Sequence, residues 1–197
     1  MSLMDLIAQA DERGLAASGL ACLDRCVPLL GGDDEVLRPL WSSLADGGAW
    51  GEYLARARTE LEVVVPGQAA DGDGDGDGDG EDEAAVLVRR MLAAAPDDPF
   101  APDLREWADV CSVAALRIHR LLDAAAGDVD TCPVSAHREG RMDGISPLVA
   151  AELRRQVTVL ELLAGRGASG LRPALEVSTE GRRVLRAVVS RRARGRA

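Results

Sequence analysis

The chain has 197 residues, 47% of them apolar, and a formal charge of −10; that is enough for one well-buried core and too little for two ordinary domains plus a linker. Phe and Tyr occur once each and Trp three times, so the core has to be built from Leu, Val and Ala, and few platforms remain on which single-stranded nucleic acid could stack. All 23 basic residues are Arg, a bias that GC-rich codon usage explains without any selection for guanidinium chemistry.

The charge is spread unevenly: residues 1–83 sum to −14, residues 84–135 to −3 and residues 136–197 to +7. Ends of opposite sign point either to an anionic partner for the C-terminal part or to contact between the chain's own halves. The first residues show no cationic segment followed by an apolar one, and no apolar run approaches the roughly 18 residues of a membrane span. The expectation is a cytoplasmic protein without membrane contact. Cys22, Cys26, Cys111 and Cys132 have no regular spacing and read as reduced thiols.

In chain order, Leu3, Leu6, Ile7 and Ala10 form a short helical stripe closed by Gly14. Ala16, Leu20, Leu23 and Val27 form a second, ending at Pro28 and Gly31-Gly32. Asp33 or Asp34 offers an N-cap for a helix with Val36, Leu37, Leu40, Trp41 and Leu44 on one face, and Pro39 inside it implies a kink or a late start. Trp50, Tyr53, Leu54, Ala57 and Leu61 continue the pattern to Val63-Val64-Val65-Pro66. Five Asp-Gly repeats, Asp71 to Gly80, followed by Glu81-Asp82-Glu83, combine self-repelling charge with backbone freedom and nothing to bury, so residues 66–82 read as a disordered insertion.

Periodicity resumes with Val86, Leu87, Met91 and Ala94. The clearest helix follows, capped by Asp103, carrying Leu104, Trp107, Cys111, Ala115, Ile118 and Leu122 on one face and stopping at Gly127. Ser146-Pro147 opens another, with Leu148, Leu153, Val157, Leu160 and Leu163, closed by Gly165. Ala174 to Val177 reads as a short extended stretch before a last helix from about Ser178. The fold class expected is an all-α single helical bundle: helices 15–30, 34–46, 49–62, 103–126 and 147–164 share one core over residues 1–165, with 83–95 packed against them, and 166–197 form a basic C-terminal extension.

Each chemical motif has a simpler explanation. Asp71, Asp73, Asp75, Gly76 and Asp82 match the outline of a calcium loop, but position twelve lacks its bidentate Glu and position eight is Gly78; any dipeptide repeat gives such partial matches. Gly165, Gly167 and Gly170 spell G-x-G-x-x-G after a helix, whereas the phosphate turn needs a buried strand before it. Cys111, His119, Cys132 and His137 fit no compact zinc spacing. Cys22 and Cys26, one helical turn apart, more simply belong to a helix interior than to a metal or redox site. Neither His adjoins a Ser or Cys nucleophile motif. No catalytic residue, metal or cofactor is therefore expected.

Four segments, Ala21-Cys22-Leu23-Asp24-Arg25-Cys26-Val27-Pro28, Val36-Leu37-Arg38-Pro39-Leu40-Trp41-Ser42-Ser43-Leu44, Ala108-Asp109-Val110-Cys111-Ser112-Val113-Ala114-Ala115-Leu116 and Ser146-Pro147-Leu148-Val149, resemble in content and order the YjaG-like family of small helical bacterial proteins, a domain of unknown function. The resemblance spans roughly Gly19 to Gly165; the acidic insertion and Arg-rich tail depart from it. It implies an all-helical fold and supplies no catalytic residues. A second resemblance covers residues 144–196. Gly144-Ile145-Ser146, the helix bearing Arg154-Arg155, then Leu171 to Val177 and Thr179-Glu180-Gly181-Arg182-Arg183-Val184-Leu185 look like the turn, recognition helix, wing and closing helix of MarR-type winged-helix regulators, which would imply DNA binding. Residues 137–143, glycine-broken and almost without apolar positions, depart from that pattern.

These observations favour a non-enzymatic protein-interaction or regulatory module with a protein partner. Arg182, Arg183, Arg186, Arg191, Arg192, Arg194 and Arg196 are the candidate contacts to an anionic partner, and nucleic acid binding through the same tail is the alternative. The acidic tract 71–83 is expected to neutralise part of this tail, since opposite charges attract over about 10 Å at 0.1 M salt.

Overall fold

A computed structural model describes residues 1–33, 35–63, 79–100, 102–123 and 132–195. Among them are nine α-helices and no strand: α1 (Leu3–Gln9), α2 (Glu12–Cys26), α3 (Arg38–Asp46), α4 (Trp50–Val63), α5 (Asp79–Ala93), α6 (Leu104–Leu122), α7 (Val134–Arg138), α8 (Pro147–Arg166) and α9 (Leu171–Gly195), with 3₁₀ turns at Val27–Leu30 and Gly167–Gly170. The all-α expectation holds. None of the described helices is long and apolar enough to cross a membrane.

The centre of the fold is α2, which packs against α6, α8 and α9. Every residue from Gly14 to Cys26 is buried, as a helix without a polar face must be. Its approach to α6 is set by Gly19, where a Cβ would lie 2.5 Å from the Trp107 ring. Trp107 fills the space a side chain would have taken. Its indole N–H donates to the Met91 carbonyl at 2.9 Å, and its ring meets Trp50 edge-on at 6.4 Å. Trp50 donates in turn to the Pro96 carbonyl at 2.8 Å, and Arg58 reaches the carbonyls of Leu92, Ala93 and Ala95. The end of α5 is thus closed by side chains of α4 and α6, which satisfy carbonyls that no further helical turn can reach.

Several boundaries differ from the sequence expectation. The first two helices break at Ala10 and Asp11, and Asp11 caps α2 by accepting from the Gly14 N–H at 2.7 Å; Gly14 sits inside α2 and does not close α1. Asp33 accepts from the Glu35 N–H at 2.9 Å, forming a local turn, so α3 starts late, at Arg38, with Pro39 in its first turn where no N–H is needed. Asp34 lies outside the described residues. So does most of the acidic segment: the described chain resumes in helix at Asp79, which places Asp79–Asp82 in α5, while residues 64–78, including the first four Asp-Gly repeats, lie outside. α6 ends at Leu122 with Asp123 as its cap, and Gly127 is not among the described residues. α8 runs through Gly165 to Arg166 and stops at Gly167, whose φ of 54° suits glycine.

The largest correction concerns the C-terminal part. Ala174–Val177 is helix, within one continuous α9. Pro173 falls in its first turn, and Leu171, Ala174, Ser178, Arg182 and Leu185 are buried in a single stripe. Residues 171–185, assigned by sequence to an extension beyond 165, therefore contribute to the same core as α2 and α8.

Candidate functional site

Two groups of side chains carry chemistry: a buried polar network, and the arginines of α9. The network joins α2, α6, α8 and α9. Arg25 grips Glu152 with two nearly parallel bonds, Nε to Oε2 at 2.8 Å and Nη2 to Oε1 at 2.5 Å. Its Nη1 donates to Ser178 Oγ at 3.5 Å and Nη2 also faces Cys22 Sγ at 3.4 Å. Gln156 donates to Glu152 Oε1 at 2.9 Å and to the Ser112 carbonyl at 3.2 Å, and accepts from Ser112 Oγ at 2.7 Å. A second pair, Arg182 Nη1 to Asp24 Oδ1 at 2.6 Å, ties α9 to α2 one position from Arg25.

Burial works against the Glu152 carboxylate, but Arg25 and then His119 beside it hold its pKa below the ordinary value. Arg25 loses solvation too, and Glu152 more than offsets that loss. Asp24 shows the opposite balance: burial outweighs Arg182 and Arg25 and raises its pKa to about 6. The Cys22 thiol is pushed up to about 12 by burial, and Cys26 and Cys111 are raised for the same reason. All three are protonated thiols at neutral pH, poorly suited to nucleophilic or redox work. Arg25, Glu152, His119 and Ser178 are each 0% exposed and Gln156 is 2% exposed, so substrate has no access. The network ties four helices of the bundle together.

His119 gives this core a pH dependence. Its Nδ1 faces the Ala115 carbonyl at 2.7 Å and so carries a proton; Nε2 has no hydrogen-bond partner and lies 3.5 Å from Glu152 Oε2. Burial keeps the imidazole neutral against the pull of Glu152, with Arg25 and Arg155 adding repulsion. Because the folded pKa is depressed below 6.5, the unfolded chain binds the proton first; stability from this group is complete above about pH 6.5 and is lost as pH falls below it. Asp24 acts in the opposite sense between its ordinary 3.8 and about 6. A comparison with His119→Gln isolates the histidine: the urea-midpoint advantage of the native chain should shrink between about pH 7.5 and pH 5.5. An advantage that does not change across that range would contradict the assignment.

Other sequence motifs do not assemble. Among the described residues, no three His, Cys, Asp or Glu side chains are placed to hold a metal; His137 Nδ1 bonds to the Arg141 carbonyl, and Cys111 is buried. Gly165, Gly167 and Gly170 form a helix end and a 3₁₀ turn, with no strand before them. The segment resembling a wing is helical, and the helix resembling a recognition helix, α8, buries Leu153 and Gln156 beside the exposed Arg154.

The seven candidate arginines divide. Arg182 is buried against Asp24, its side chain 8% exposed, because position 182 falls on the core-facing stripe of α9. Arg192 is partly buried, 3.6 Å from Glu81 at the start of α5 and 3.4 Å from the Leu122 carbonyl; here one acid of the acidic tract does meet the basic tail. Arg183, Arg186, Arg191 and Arg194 are exposed, and Arg183 lies 3.5 Å from Glu180. Arg196 is outside the described residues. At 3.6 residues per turn the four exposed arginines occupy one arc of roughly 140° over about 16 Å of helix. Ala187 and Ser190 lie between them, while Leu185 is buried and Val188 and Val189 pack on the core from the opposite face.

No protein-family profile matches the chain, and neither does any curated protein or solved structure compared with it.

Proposed function

We propose that this chain is a non-enzymatic interaction module that presents the arginine face of α9 to an acidic segment of a protein partner. The supporting observation is the division of α9 into two faces. One is anchored in the core through Leu185, Val188 and Val189, and the other carries Arg183, Arg186, Arg191 and Arg194 with only small residues between them. A helix held in this way loses little conformational freedom on binding, and guanidinium groups pair with carboxylates in fixed two-bond geometry. The YjaG-like resemblance is compatible with this reading, since it carries no catalytic residues.

An acidic protein is favoured over DNA by the helical conformation of the segment that would be a wing. Fluorescence anisotropy with a labelled poly-glutamate peptide and a random-sequence DNA duplex, each at graded salt, separates the two. The peptide should bind at low salt with affinity that falls as salt rises, and more tightly than the duplex. Tight duplex binding without peptide binding would establish the DNA reading in its place.

A further inference from the structure

The 3₁₀ turn at Gly167–Gly170 folds α8 and α9 into a hairpin, drawn tight because a Cβ on Gly170 would collide with the Leu162 backbone. Between the two helices lies an open groove of about 530 Å³, within the range that holds small molecules. Its ends differ. Near the turn the walls are Leu162, Pro173 and Val177; away from the turn they are Arg154 and Arg155 of α8, facing Glu180 of α9.

The charges in the groove are not balanced. Glu176 has Arg172 of its own helix at 3.4 Å, and Glu180 has Arg183 at 3.5 Å. Neither Arg154 nor Arg155 comes within ion-pair distance of a described carboxylate, although Glu152 and then Glu180 act on the Arg155 charge from farther away. Arg155 Nη1 is shut off from solvent and has no hydrogen-bond partner. Its stem packs against α9, where Cδ lies 2.9 Å from the position a Cβ on Gly181 would take.

We propose that this groove binds a small amphiphilic monocarboxylate, its head on Arg154 and Arg155 and its apolar body along Leu162 and Val177. The seven helical steps from Arg155 to Leu162 cover about 10 Å, the scale of a medium-length alkyl chain. Glu180 on the facing wall opposes a second negative charge, which selects a monoanion over a phosphate dianion. The site shares no residue with the arginine face of α9, which adjoins it through the Arg183–Glu180 pair.

The test is an amide NMR titration of the full chain with octanoate, with octanol as the uncharged probe of the same length. Octanoate should give saturable shifts confined to residues 151–162 and 174–180, and octanol should bind about tenfold more weakly or worse. Arg155→Gln should weaken octanoate by a similar factor and Glu180→Gln should tighten it, with circular dichroism confirming the fold. If Arg155→Gln does not fold, the exposed Arg154→Gln carries the test. Equal affinity for octanol and octanoate, shifts outside the groove, no shifts, or an arginine variant that binds unchanged would each overturn the proposal.

Discussion

Glu152→Ala is expected to destabilise the protein by about 3–5 kcal/mol, a large part of the roughly 5–15 kcal/mol available to a domain. Arg25 would be left at 0% exposure with no countercharge, and Gln156 would lose one of its acceptors. Much of the cost is the stranded guanidinium and not the lost bond, which makes the double replacement informative. Arg25→Met with Glu152→Met removes both charges and should recover most of the loss, since buried ion pairs are often no better than apolar residues of similar volume. Urea denaturation of the two variants checks this. A double variant as unstable as Glu152→Ala would mean that the network contributes stability beyond mutual charge compensation.

Trp107→Ala is expected to cost about 3–5 kcal/mol by opening a cavity between α2 and α6. The cavity cannot close easily, because the facing residue is Gly19 and offers no side chain to move in. The Met91 carbonyl in the last turn of α5 would lose its indole donor, and Trp50 its edge-on neighbour. Trp107→Phe keeps most of the volume and loses the N–H, so its cost should fall to about 1–3 kcal/mol. Thermal or urea unfolding of both variants checks the order; a phenylalanine variant as damaged as the alanine one would contradict the cavity argument.

The helical architecture was legible because Leu and Ala recur at helical spacing in most segments, and the Trp107 helix stood out because its apolar face is unbroken from Leu104 to Leu122. α9 was misread because its buried stripe includes Ser178 and Arg182. Polar residues on a core-facing position erase the apolar period that reveals a helix, and Ala174 to Val177 then resembles a strand. The polar network was missed for a related reason. Arg25 and Glu152 are 127 positions apart, and each alone looks like a surface charge. A signal was present in α2, where residues 14–27 have no polar face on which Asp24 and Arg25 could reach water; charges in an all-round apolar helix must be buried and therefore paired. The same logic explains why Arg182 belongs to the core while Arg183 does not.

What remains outside the core is the arginine face of α9. Its four side chains are exposed on a helix that the core already holds in place, so they can be neutralised without touching the packing. The most direct measurement is therefore the combined variant Arg183→Gln, Arg186→Gln, Arg191→Gln, Arg194→Gln, compared with the native chain for unfolding midpoint and for affinity to the acidic peptide at low salt. The account predicts a midpoint close to the native one, because exposed charges contribute little to stability, together with loss of at least about tenfold in affinity. A variant that folds and binds the peptide as tightly as the native chain would contradict it.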